Sequence, residues 1–95
     1  MEVRVCTEIF NLLLEDKGLA LPVFAIISNI QPATNFVLKC DKKYGAESLA
    51  EDLGISRQMA TRYMKRLKDL GIVREEKIGQ KTFLTANSDL FIAIG

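Results

Sequence analysis

Residues 54–56, Gly-Ile-Ser, separate two segments of helical pattern, and this is the narrowest constraint in the 95-residue chain. Upstream, A-E-S-L-A-E-D-L puts Leu49, Ala50 and Leu53 on one face of a short helix. Downstream, a second pattern runs from Arg57 to Leu70, and Gly71 stops it. Gly54 suits the left-handed conformation that ends a helix. Ser56 is a strong N-cap for the next one. Ile55 between them is the apolar plug.

This spacing is the signature of a helix-turn-helix. The segment I-V-R-E-E-K-I-G-Q-K-T-F-L-T-A then reads as two strands about Ile78, Gly79 and Gln80. A basic hairpin directly after such a motif is a wing. The motif spans about 46–70 and the wing about 72–86. Before them, Val5, Cys6, Ile9, Phe10, Leu13 and Leu14 predict a helix over 3–16, with Leu12 widening its stripe and Gly18 as its stop. Pro22 suits the first turn of a second helix over 22–30, apolar nearly all round and therefore expected to be buried. Residues 31–35 form a loop and 36–39 a short strand. The tail N-S-D-L-F-I-A-I-G opens on a cap signal and ends apolar, and fits a helical turn or a strand equally. The predicted fold class is mainly α with a small β hairpin: one winged helix-turn-helix domain over 1–95, with additional N-terminal helices.

The net charge of +1 is unevenly spread. Residues 56–81 hold eight cations against three anions, net +5, while the residues before them are net −3. A near-neutral chain with one basic third is built for one anionic docking face.

On a wheel with Arg57 at zero and about 100° per residue, Met59, Ala60, Tyr63, Met64, Leu67 and Leu70 fall between roughly 200° and 340°. These anchor the helix. Arg57, Lys68, Thr61, Lys65, Gln58, Asp69, Arg62 and Arg66 fall between roughly 0° and 180°. A solvated helix face ordinarily mixes both signs at i, i+4 spacing; here cations dominate. Arg and Lys bond guanine edges or phosphates, Gln bonds adenine, and Thr offers a hydroxyl and a methyl. Base contacts are therefore assigned to Arg57, Gln58, Thr61 and Arg62 near the N-terminus of the helix, which usually enters the major groove. Lys65 and Arg66 are assigned to phosphate, Ser56 to the same surface, and Lys77, Gln80 and Lys81 on the wing to the minor groove or phosphate.

Histidine is absent, which removes the usual nucleophile–base pairs, and there is no nucleotide-binding loop. Cys6 and Cys40 are far apart and read as reduced, packed thiols; too few soft ligands exist for a zinc site. No metal, cofactor or enzyme activity is expected. No apolar run is long enough to span a membrane, and the expected location is cytoplasmic. The apolar sequence at both ends exceeds what one small core can cover, which predicts a homodimer through Val5, Ile9, Phe10, Leu13, Phe24, Ile27, Leu90, Phe91 and Ile92.

The stretch E-S-L-A-E-D-L-G-I-S-R-Q-M-A-T-R-Y-M-K-R-L-K-D-L-G-I-V, followed by R-E-E-K-I-G-Q-K-T-F-L-T, resembles the winged helix-turn-helix DNA-binding superfamily. The resemblance implies double-stranded DNA as partner and a homodimeric transcription regulator. The order of I-S-N-I-Q-P-A-T-N-F-V-L, the motif, the hairpin and A-N-S-D-L-F is similar to plasmid replication initiators of the RepL type. In the loop that similarity rests on Pro32 and Asn35. It implies, as an alternative, a replication-origin or partition-site protein of a plasmid, phage or virus. A winged helix used as a protein-interaction module is the alternative from another class.

Overall fold

A computed structural model describes residues 2–94. The elements run β1 (Glu2–Val5), α1 (Glu8–Glu15), a 3-10 turn (Lys17–Leu19), α2 (Ala20–Ile27), β2 (Leu38–Lys39), β3 (Lys42–Lys43), α3 (Ala46–Leu53), α4 (Arg57–Asp69), β4 (Val73–Ile78), β5 (Lys81–Ala86) and β6 (Phe91–Ile94). The strands form three antiparallel pairs, β1 with β6, β2 with β3 and β4 with β5. The fold is a winged helix: α3 and α4 with the β4–β5 wing, carried on α1 and α2 and closed by a sheet of the two chain ends.

The three-residue turn behaves as its residue types dictate. Gly54 ends α3 at φ 64°, a left-handed conformation that a Cβ would disfavour. The Ile55 amide donates to Ala50 O (3.1 Å), and its half-buried side chain packs on the core. Ser56 Oγ accepts from the Met59 amide at 3.2 Å and caps α4. Leu49, Ala60, Met64, Leu67, Ile72 and Val73 are buried in one cluster with Val23, Ile26 and Ile30. The wing turns through Gly79 and Gln80 between the paired Ile78 and Lys81. Phe36 and Val37 extend the wing inward: Phe36 bridges Thr85, and the Val37 amide donates to Leu84 O (2.9 Å).

The chain ends differ from their predicted form. Residues 2–5 are a strand, and α1 begins only at Glu8. Val3 and Val5 alternate with Glu2 and Arg4, so this short stretch satisfies a period of two as well as a helical one. The partner, residues 91–94, lies at the other end of the chain and decides for strand, which also settles the tail. The second helix is Ala20–Ile27 rather than 22–30, with Pro22 buried as its third residue. It is not buried all round, since Leu21 and Phe24 are 63% and 57% exposed.

The nine predicted dimer residues divide. Ile9, Leu90 and Phe91 are buried inside the chain itself, because the β1–β6 sheet and α1 fold onto the helical core, and they have no surface left for a second chain. Val5, Leu13 and Ile27 are half-buried against the same core. Phe10, Phe24 and Ile92 remain exposed. Both thiols are free; Cys6 is half-buried, but Cys40 is exposed at the β2–β3 turn rather than packed.

Candidate nucleic-acid interface

The helical phase of α4 is close to the predicted one, with a shift at its edge. Ala60, Met64 and Leu67 are buried and Tyr63 half-buried, but Met59 (44%) and Leu70 (36%) are exposed. These two lie at roughly 200° and 220° on the wheel, next to Arg66 at roughly 180°, so the anchoring arc is narrower than the apolar one. The opposite face carries Arg57, Gln58, Thr61, Arg62 and Lys65, all exposed. Thr61 Oγ1 donates to Arg57 O at 2.8 Å, which holds its rotamer and leaves the oxygen lone pairs and the methyl for a ligand.

Among the described residues, two α4 cations form ion pairs. Arg66 pairs with Asp16 at the end of α1, and Lys68 with Glu75 on β4. Both phosphate assignments on α4 therefore need separating. Both side chains are exposed, but Lys65 has no ion-pair partner among the described residues, whereas Arg66 reaches Asp16. Sequence spacing could not reveal Asp16, which lies 50 positions away.

A cleft of about 440 Å³ opens between α4 and the wing. Thr61, Met64, Lys65 and Lys68 line it from α4, Thr82, Phe83 and Leu84 from β5, and Tyr44, Gly45 and Ala46 from the entry to α3. Lys68–Glu75 crosses the cleft and sets the wing against the helix. The wing cations Lys77 and Lys81 and the amide of Gln80 are exposed around the hairpin turn, with Ile78 half-exposed among them.

The sequence places Ser48 and the Lys42–Lys43 pair beside the first helix of the motif, as candidates for backbone contact, and the structure adds Phe83 to them. Phe83 stacks on Phe36 (centroids 5.3 Å, interplanar angle 1°), and Lys43 Nζ sits 5.7 Å from the Phe83 ring centroid. That contact brings Lys43 of the β2–β3 hairpin to the base of the wing. Lys43 also lines a hollow with Gly45, Ser48 and Arg57 at the start of α3. The signal was present as the Lys42–Lys43 pair, but only the stacking of loop residue 36 on the wing places it.

Behind α3 lies a polar cluster that holds the motif. Asp52 accepts from Tyr44 Oη (2.7 Å), Lys39 Nζ (2.5 Å) and Asn29 Nδ2 (3.3 Å). Burial pushes the Asp52 carboxyl up, but the hydrogen bonds from Lys39 and Tyr44 outweigh it, and its pKa lies below the usual aspartate value. Burial, reinforced by Asp52, holds the Tyr44 phenol well above its usual range, so it remains a donor. The hydrogen bond to Asp52 raises Lys39. Among the described residues no cluster of three or more His, Cys, Asp or Glu side chains could hold a metal, and no helix is long and apolar enough to cross a membrane.

The geometry is that of a capped three-residue turn, a cationic second helix and a hairpin flanking it. The family model described as winged helix-turn-helix DNA-binding matches residues 46–74. This chain carries a winged helix-turn-helix DNA-binding unit. The match runs from the first residue of α3 to the second of β4, so the two N-terminal helices, the wing tip and the terminal sheet lie outside it. Comparison with curated proteins and with solved structures gave no match.

Proposed function

We propose that this winged helix-turn-helix reads a specific sequence in double-stranded DNA and acts in the cytoplasm as a small homodimeric transcription regulator, without enzymatic activity or cofactor. The observation that carries the reading is the arc of Arg57, Gln58, Thr61, Arg62 and Lys65. It is exposed, mostly unpaired, and mixes base-reading chemistry with cations next to a basic wing. Arg57, Gln58, Thr61 and Arg62 contact base edges; Lys65, Lys77, Gln80 and Lys81 contact the backbone; Ser56 presents and caps the helix. Phe10, Phe24 and Ile92 are the remaining exposed residues of the predicted dimer set.

The test compares two substitutions at one salt concentration, on the DNA upstream of the protein's own gene and on random duplex. Arg62→Ala is expected to cost about 1–3 kcal/mol on the cognate site and much less on random duplex. Lys81→Ala is expected to weaken both about equally. Equal losses on both duplexes for both variants would make the protein a non-specific DNA coat. Absence of DNA binding at low salt would leave the protein-interaction module. The replication-initiator alternative gains no support from Asn35, which has a structural occupation. Its Nδ2 donates to Phe91 O (2.8 Å) and Ala86 O (3.4 Å), tying the loop to the wing and the terminal sheet.

A further inference from the structure

The β1–β6 sheet has two strands and therefore two outer edges, and they are not equivalent. The Cys6 amide donates to Leu90 O (2.8 Å), which fixes the phase of the ladder. Pairs 4–92 and 2–94 are then the hydrogen-bonded ones, and the backbone groups of Val3, Val5, Phe91 and Ala93 point outward. On the β6 side this edge is occupied at Phe91. Phe91 O accepts from Asn35 Nδ2, and the Phe91 amide donates to Asn87 O (2.9 Å). On the β1 side, Val3 and Val5 have no backbone partner among the described residues. β1 holds no proline, and an unpaired strand edge is a template for pairing with another strand.

The charges of β1 are self-complementary about Val3. Two antiparallel copies centred there place Glu2 opposite Arg4 of the other copy, twice, with Val3 opposite Val3 as a hydrogen-bonded pair. Moving the centre by one residue places Arg4 opposite Arg4, which like-charge repulsion disfavours. Within one chain Glu2 and Arg4 make a contact of 3.9 Å, with both side chains 72% exposed, so little is lost in exchanging it.

We infer that β1 is a docking edge for a second copy of this chain, joined antiparallel about a two-fold axis at Val3 into a four-stranded sheet β6–β1–β1–β6. This deepens the dimer reading above and rests on it. It places the association in backbone hydrogen bonds with a charge-coded register, and the association is isologous.

Sedimentation of the full chain at micromolar concentration tests it, with thermal melting and random-duplex binding as controls. Val3→Pro removes an amide that points away from β6, so the internal ladder is kept while the central intermolecular donors are lost. This variant is expected to be monomeric at concentrations where the parent is dimeric, with its melt and random-duplex binding close to those of the parent monomer. Glu2→Arg and Arg4→Glu each set like charges opposite and are expected to weaken self-association at least tenfold. Mixed in equal amounts, the two variants are expected to form a heterodimer, and the doubly exchanged chain, E2R/R4E, to dimerise like the parent. A monomeric parent overturns the inference together with the dimer reading. A parent dimer that survives Val3→Pro and is unweakened by Glu2→Arg and by Arg4→Glu alone overturns the inference alone. The DNA reading stands or falls separately, on Arg62 and Lys81.

Discussion

Arg66 and Lys65 are neighbours in sequence with similar charge, yet their side chains meet different surroundings. Lys65 faces the cleft beside the wing, and Arg66 is committed to Asp16. Lys65→Ala is expected to weaken random-duplex binding and to lower the slope of log K against log salt by about one unit. Arg66→Ala is expected to leave that slope nearly unchanged and to show itself instead as a small loss of stability, since exposed pairs contribute about 0–1 kcal/mol. A binding titration over salt on both variants distinguishes them. Asp52 makes the stability depend on pH at the acid end. Its folded pKa is lowered, so its contribution is present above the unfolded value of 3.8 and is lost as pH falls through the folded value. Lys39 is raised, so its share is present below 10.5 and fades as pH rises beyond it. Asp52→Asn is therefore expected to flatten the decline of stability below pH 3.8, measured by denaturant unfolding across that range. Tyr44→Phe is expected to cost about 1 kcal/mol at neutral pH by removing one donor from that carboxylate.

Two turns show how local chemistry and tertiary demand are weighed at the level of the element. The α3–α4 turn is locally optimal, with glycine left-handed at its start and a serine cap at its end. Ser56→Ala is expected to cost about 1 kcal/mol in unfolding free energy through loss of the cap alone. The β2–β3 turn is the reverse. Cys40 and Asp41 both adopt positive φ, 51° and 62°, where Asn-Gly would be the favoured choice. The hairpin is held there because residues 36–37 bond to the wing and Lys43 lies over Phe83. Asp41→Gly is expected to raise unfolding free energy by up to about 1 kcal/mol, read from a shift in denaturation midpoint, with DNA binding unchanged. Asn87 joins elements in another way. Its side-chain Nδ2 donates to Gly71 O (2.8 Å), and its Oδ1 accepts from Arg74 (3.1 Å) and from the Asp89 amide (2.9 Å). The cap signal at the head of the tail thus organises the exit from the wing rather than starting a helix.

At the scale of the whole molecule, the docking face and the terminal sheet are built from different kinds of information. The affinity for random duplex is expected to fall steeply and linearly in log K against log salt, because the exposed cations of α4 and the wing act together on phosphates. A flat response would remove the DNA assignment whatever the oligomeric state. By itself the sequence determined the motif: residues 46–86 were legible because caps, glycine stops and helical periodicity act within a few residues of one another. The polar arc of α4 was legible for the same reason, since a helix converts spacing directly into direction. The remaining features depend on partners distant along the chain. Val3 and Val5 became a strand because residues 91–94 lay beside them. Ile9 and Phe91 became core rather than interface because the two chain ends closed over the helices, and Arg66 found an ion-pair partner because the fold brings Asp16 within reach. A short apolar stretch fits helix, strand, core or contact equally well until another segment buries one face of it, and no local pattern encodes which segment that will be.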